Sequence, residues 1–140
     1  MISLNRILGY ALAAFMAFMG IQKFMGGVPI FAIIETNIGA QWGLELTWIE
    51  PWGRFLTGGL EIIAAGLLVL GRRLEGGALS IAIIVGAIGA HLTVLGISTP
   101  MSSDPGAEAS PMLFMMAIAG GMLSAAVFLG AARKTGTDAK

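Results

Sequence analysis

The sequence predicts an all-α membrane protein, a four-transmembrane-helix bundle with a short interfacial helix between the first two spans. Its composition is the first reason: 56% of the 140 residues are hydrophobic, only 11% are charged, and the mean hydropathy is +0.87. A soluble domain carries about twice that charged fraction. The second reason is four apolar stretches, each close to the roughly 20 residues that a helix needs to cross a bilayer. We expect one membrane domain over residues 1–132, in contact with lipid, and a tail over 133–140.

Composition also excludes several kinds of function. The chain has no cysteine, so it cannot itself form a disulfide, a thiolate nucleophile or an iron–sulfur cluster. The net charge is zero and the basic residues are scattered, which gives nucleic acid no phosphate-tracking stripe. Phosphate-loop, HExxH and GxSxG motifs do not occur in the sequence, and we assign no catalytic residue.

The first span is predicted over residues 4–25. Arg6 precedes an apolar run with no small-residue cleavage site, so we expect a retained span and not a cleaved signal peptide. Small residues within it, followed by Ile21, favour close contact with a neighbouring helix: Ala13, Ala17 and Gly20. Glycines and Pro29 then end the helix.

The connection after the first span is long and apolar. Pro29 can occupy the first turn of a short helix that runs through Ile38, with Gly39 as its C-terminal stop. All three tryptophans of the chain follow this helix: Trp42, Trp48 and Trp52. Tryptophan favours the membrane–water interface, so we expect the connection to lie on the bilayer surface and cap the bundle. Whether it is a plain linker with anchors or a lid over a pocket remains open.

The other spans are predicted over residues 54–71, 76–97 and 111–132. A tight basic turn, 72–75, joins the first two of these, and a polar exposed loop, 98–110, joins the last two. Three small residues four apart, Ala82, Gly86 and Ala90, predict that another helix backbone lies close to the third span. That contact could lie within the bundle or between protomers, so a homo-oligomer remains open.

Charge asymmetry predicts the orientation. Five basic residues fall at one side of a four-span arrangement: Arg6, Arg72, Arg73, Arg133 and Lys134. Five acidic residues fall at the other: Glu35, Glu45, Glu50, Asp104 and Glu108. The positive-inside rule then predicts a multi-pass protein of the bacterial cytoplasmic (inner) membrane with both termini and the tail in the cytoplasm.

The polar residues embedded in the spans form the candidate site. Glu61 lies in the second span, roughly 10 Å deeper than Arg54 at 1.5 Å per residue. Lys23, near the end of the first span, and His91, in the third, fall in the same outer half of the bundle. A carboxylate in hydrocarbon must be paired, protonated or in contact with water. A nearby lysine or arginine would keep Glu61 ionised.

Three interpretations of this cluster stand at this point. Glu61 paired with Lys23 or Arg54 would be a structural brace. Glu61 with His91 would be a ligand or proton site, because histidine exchanges protons near neutral pH. A metal site is disfavoured, since one histidine and one glutamate are too few ligands. The methionines at the start of the fourth span favour apolar packing over a copper site: Met112, Met115 and Met116.

Short motifs in a fixed order resemble the DoxX and DoxX-like membrane proteins. They are GIQKF at residues 20–24, GGLE at 58–61, Gly-Ala at 77–78 and HLT at 91–93. The resemblance covers residues 4–132 and implies a four-helix membrane bundle. The family takes its name from a small subunit of a thiosulfate:quinone oxidoreductase, and other members are linked to membrane redox complexes. Related eukaryotic proteins look like assembly factors for membrane receptors.

The resemblance leads to two expectations of function. The first is a subunit of a redox-associated membrane complex that binds a quinone or a similar lipophile. Glu61 and His91 would then bond the polar head, and Lys23 and Arg54 would set the local charge. The alternative is a non-enzymatic structural or assembly protein in which the buried charged cluster only braces the bundle.

Overall fold

Five α-helices make up most of the computed structural model, which describes residues 4–26, 29–102, 104 and 106–137. They are α1 (Leu4–Met25), α2 (Ile30–Trp42), α3 (Arg54–Val69), α4 (Arg73–Ala90) and α5 (Met112–Thr137). A short turn, Ile49–Gly53, leads into α3, and a π-helical turn, His91–Leu95, continues α4. Two short antiparallel strands, β1 (Thr99–Pro100) and β2 (Ala109–Ser110), close the connection to α5.

Within the described residues, four helical segments are long and apolar enough to cross a membrane. They are Leu4–Met25, Ile49–Val69, Arg73–Leu95 and Met112–Lys134. The predicted all-α four-helix bundle is therefore confirmed, and the chain is a multi-pass membrane protein.

The four long helices form a ring in which α1 contacts α3 and α5, while α4 contacts the same two helices. Leu12 and Met16 of α1, Leu68 of α3 and Val127 of α5 are almost completely buried in the core between them. At one end of the ring, Gly9 of α1 packs against the side chain of Arg73. The start of α1, the start of α4 and the end of α5 lie at this end, which we call the basic end after Arg6, Arg72 and Arg73. Helix α2 and the two strands lie at the opposite end, which we call the acidic end after Glu35 and Glu50.

Several helix limits differ from the predicted ones. Helix α2 continues through Gly39 and stops at Gly43, whose φ of 65° and N–H bond to the Gly39 carbonyl end it in the left-handed conformation. Gly39 was therefore the wrong stop: a glycine ends a helix only where the backbone takes a positive φ. Helix α5 extends to Thr137, so it includes polar residues beyond Ala132, the predicted end of the fourth span. Residues 138–140 of the predicted tail lie outside the described residues.

Two connections also differ from expectation. The basic turn is shorter than predicted, since Arg73 already begins α4. The connection predicted as exposed over 98–110 contains the hairpin, and Thr99 in its first strand is only 1% exposed. Ser103 and Pro105 of this connection lie outside the described residues.

A close approach between two helix backbones lies at Gly20 and Gly58, where α1 crosses α3. A Cβ atom on Gly20 would come within 2.9 Å of the Gly58 carbonyl oxygen, and one on Gly58 within 3.2 Å of the Gly20 oxygen. The ridge predicted to contact a neighbouring backbone does not do so at Gly86, because a Cβ there would meet nothing within 4 Å. Glycines therefore differ in what surrounds them: Gly20 and Gly58 allow contact between α1 and α3, whereas Gly86 and Gly89 of α4 border open space.

We expect Gly20→Ala to lower the free energy of unfolding by about 1–3 kcal/mol, since the added methyl group meets backbone that cannot move aside. Unfolding in detergent micelles, followed by circular dichroism, measures this change. Gly66→Ala is the matched control, because a Cβ at Gly66 would have no neighbour within 4 Å. Equal stability of the two variants would contradict the close crossing.

Candidate ligand site at the acidic end

The central contact of the site is a buried ion pair between α1 and α3. Lys23 Nζ lies 2.7 Å from each carboxylate oxygen of Glu61. The two side chains are 12% and 6% exposed. A carboxylate at this depth requires a cation, and the bidentate contact places one directly on it. Of the two partners that the sequence left open, the structure selects Lys23.

The helix crossing explains why these two side chains meet. Lys23 follows Gly20 by three residues, and Glu61 follows Gly58 by three, so each lies roughly 4.5 Å beyond the crossing on its own helix. The helices run antiparallel, and side chains lean towards the N-terminus of their helix. Lys23 therefore leans towards the basic end and Glu61 towards the acidic end, so the two side chains meet beside the crossing.

Arg54 takes a different role from the predicted one beside Glu61. Its Nε donates to Glu50 Oε1 at 2.8 Å, and its Nη1 donates to the backbone carbonyl of Lys23. The guanidinium also lies 4.5 Å from the ring centre of Phe55. Arg54 therefore caps the C-terminal end of α1 and holds the backbone of Lys23. Its side chain contacts Glu50 and Phe55 and is not paired with Glu61 among the described contacts.

Helix α2 is tied to the bundle by polar contacts at two points. The backbone N–H of Glu50 donates to Glu35 Oε2 at 3.1 Å, which joins α2 to the turn before α3. Asn37 Nδ2 donates to the Val94 carbonyl at 2.8 Å, which joins α2 to the π-helical turn. The sequence does not predict these contacts of Glu35 and Asn37, although a carboxylate and an amide in a short apolar helix were the available signal.

His91 is buried in the first position of the π-helical turn, with 4% of its surface exposed. Its Nδ1 lies 2.8 Å from the Gly96 carbonyl oxygen. A carbonyl only accepts hydrogen bonds, so Nδ1 carries the proton in the neutral ring. The ring also packs edge-to-face on Phe114, with centres 5.5 Å apart. These contacts hold the imidazole in one orientation and leave Nε2 as its remaining polar atom.

Lys23, Glu61 and His91 line one cavity of about 320 Å³ between the helices. Apart from these side chains and Thr57, the wall is apolar, and Ile30, Phe31 and Ile34 of α2 form part of it. Thr57 Oγ1 donates to the Gly53 carbonyl at 2.8 Å. The cavity is thus a largely apolar chamber. Its charged and polar groups come from α1, α3 and the π-helical turn that follows α4.

One wall of this cavity is open to the outside of the bundle. Ala82, Gly86 and Ala87 of α4 line the cavity and are also exposed. The ridge of small residues predicted to hold a neighbouring helix therefore forms part of a side opening. Three of the four predicted site residues face the cavity, while Arg54 is absent from the wall that the described residues form.

In the described part of the chain, no three His, Cys, Asp or Glu side chains lie close enough together to hold a metal ion. The methionines predicted to pack do so only in part, because Met112 and Met115 are 51% and 59% exposed on the outside of the bundle.

No family model matches the chain, and neither a curated protein nor a solved structure shows significant similarity to it.

We expect removal of either member of the ion pair to destabilise the bundle far more than removal of both. Lys23→Met leaves a buried carboxylate and Glu61→Met leaves a buried ammonium, each at a cost of about 3–5 kcal/mol. The double variant leaves neither charge and should recover most of that loss. A double-mutant cycle of unfolding free energies in micelles measures the coupling. Additive single effects would contradict a direct ion pair.

Proposed function

We propose that this chain is a membrane-embedded subunit that holds the polar head of a lipophilic small molecule, with a quinone as the leading candidate, in the side-opening cavity. The observation that carries the proposal is the joining of an ion pair and a histidine in one apolar chamber. Ligand sites typically combine apolar walls with a few convergent polar groups. A plain brace requires the ion pair but no chamber beside it.

The position of the opening favours a ligand that arrives from lipid. Gly86 lies thirteen residues after Arg73, the first residue of α4, which is roughly 20 Å along the helix at 1.5 Å per residue. The hydrocarbon core of a bilayer is about 30 Å thick, so the opening falls at hydrocarbon depth. Water does not reach this depth on the lipid side, whereas the tail of an amphiphile does.

The size of the cavity limits what enters it. A volume of about 320 Å³ is at the low end of small-molecule sites, which range over about 300–1,000 Å³. Such a chamber takes one ring-sized head, and the exposed wall lets an attached chain continue into the bilayer. A compact head with a long apolar tail is the form of a membrane quinone.

A role in a redox-associated complex rests on the resemblance to the DoxX family. Since the chain has no cysteine, thiol chemistry in such a complex would belong to a partner subunit. For location, we propose a bacterial cytoplasmic membrane. The contact of Gly9 with Arg73 supports a common basic end, and the positive-inside rule assigns such an end, with both termini, to the cytoplasm.

One observation favours a second function, a non-enzymatic structural or assembly protein. The contact between Lys23 and Glu61 satisfies both charges without a ligand. In that case the pair braces α1 against α3, and the biological role lies with a partner chain.

Native mass spectrometry with lipid extraction separates the two functions. We expect the purified protein to retain a small lipophile, and the Lys23→Met/Glu61→Met variant, which should remain folded, to lose it. A protein with no bound lipophile, in which the single variants are nevertheless unstable, would contradict ligand binding and favour the brace.

Gly86→Leu should reduce lipophile binding by about tenfold or more while leaving stability nearly unchanged. A side chain at this position would enter open space at the wall of the cavity, so it narrows the opening without a clash. Gly66→Leu is the control, because Gly66 is likewise exposed and has open space but does not line this cavity. Equal loss of bound lipophile in both variants would contradict entry beside Gly86.

A further inference from the structure

We infer that the cavity selects a head group that donates a hydrogen bond, so that it prefers a hydroxylated ring, such as a quinol or a phenol, to a quinone that carries only carbonyls. This inference rests on the proposed function, the binding of a lipophile in the same cavity. It adds which chemical form of the head the polar groups fit.

The histidine supplies the first reason. Nδ1 of His91 is already engaged with the Gly96 carbonyl at 2.8 Å, and this contact requires the proton on Nδ1. In the neutral ring, Nε2 is then a hydrogen-bond acceptor without a partner among the described residues. A hydroxyl group can donate to it, whereas a carbonyl oxygen would oppose one lone pair to another.

Thr57 and Glu61 supply the second reason. The Thr57 hydroxyl gives its proton to the Gly53 carbonyl, so only its oxygen lone pairs remain for a ligand. Each Glu61 oxygen accepts one hydrogen bond from Lys23 and, as a carboxylate, has capacity for another. Both side chains therefore offer acceptors to the cavity.

Lys23 is the donor that balances this set. An ammonium has three N–H groups, and its contact with the two Glu61 oxygens uses at most two of them. One N–H remains for an oxygen of the head. A hydroxyl satisfies both sides, since its oxygen accepts from Lys23 and its proton goes to one of the acceptors. A quinone carbonyl accepts from Lys23 but has no proton to donate, so it leaves the acceptors unpaired.

Unpaired buried polar groups are what allow a site to reject a close analogue. The expected result is therefore a dissociation constant at least about tenfold lower for the donating head than for a head of the same shape without the proton. The size of the tail and the ring should matter less than this one proton.

The test compares 4-nonylphenol with its methyl ether, in which a methyl group replaces the phenolic proton; neither compound undergoes a redox change under the assay conditions. Binding of both probes to the full chain in nanodiscs is measured by calorimetry at one fixed pH. We expect the phenol to bind at least about tenfold more tightly. A short-chain benzoquinol against its benzoquinone, compared without oxygen, should give the same order.

Two variants of His91 show whether its Nε2 is responsible. In His91→Asn the amide nitrogen can replace Nδ1 at the Gly96 carbonyl, but no acceptor remains at the Nε2 position. In His91→Gln the amide oxygen reaches that position. We expect the preference for the phenol to shrink at least about fivefold in the asparagine variant and to persist in the glutamine variant. Loss of the preference in both, or in neither, overturns the assignment to Nε2.

The outcomes separate this inference from the proposed function. If the phenol and the ether bind equally, or the ether binds better, the inference fails while lipophile binding stands. If neither probe binds in the quinone or the phenol series and no lipophile is extracted from the protein, the proposed function fails and the inference with it.

Discussion

A carboxylate buried among apolar helices is costly without a cation, and the acidic end of this bundle is arranged around the pairing of Glu61. Glu61 meets Lys23 at 2.7 Å only because α1 and α3 approach at Gly20 and Gly58. Arg54 then holds the backbone of Lys23 by its carbonyl and is itself held by Glu50. The ion pair, the helix crossing and the cap therefore depend on one another. Loss of any one of them would leave a buried charge with a poorer partner, which is destabilising.

The cavity exists because the same bundle fails to close elsewhere. Where α1 crosses α3, glycines bring the backbones together, whereas a Cβ atom on Gly86 or Gly89 of α4 would meet nothing within 4 Å. Helix α2 covers part of the resulting space with apolar side chains and is fixed by Asn37 to the π-helical turn. The polar groups consequently face a largely apolar chamber of limited size, in which hydrogen-bond matching has more effect than it would in water.

The spans and the depth of the polar cluster could be predicted from the sequence, because both follow from hydropathy and from the rise per residue. The partner of Glu61 could not. Arg54 lies on the same helix face as Glu61, yet Glu50, four residues away, competes for it locally. The small-residue ridge at Gly86 was equally ambiguous, since a sequence does not tell a helix contact from an empty wall. Gly39 and Gly43 were likewise both suitable helix stops, and only the backbone conformation separates them.

The open wall beside Gly86 also has a consequence for the affinity of the proposed ligand. A ligand that enters there leaves its tail in hydrocarbon both before and after binding, so the tail contributes little net free energy to association. The effective concentration is then the mole fraction of the ligand in the bilayer, and exchange proceeds by two-dimensional diffusion without a passage through water. For the proposed ligand, discrimination among membrane lipophiles would therefore fall almost entirely on the few atoms of the head next to Lys23, Glu61 and His91.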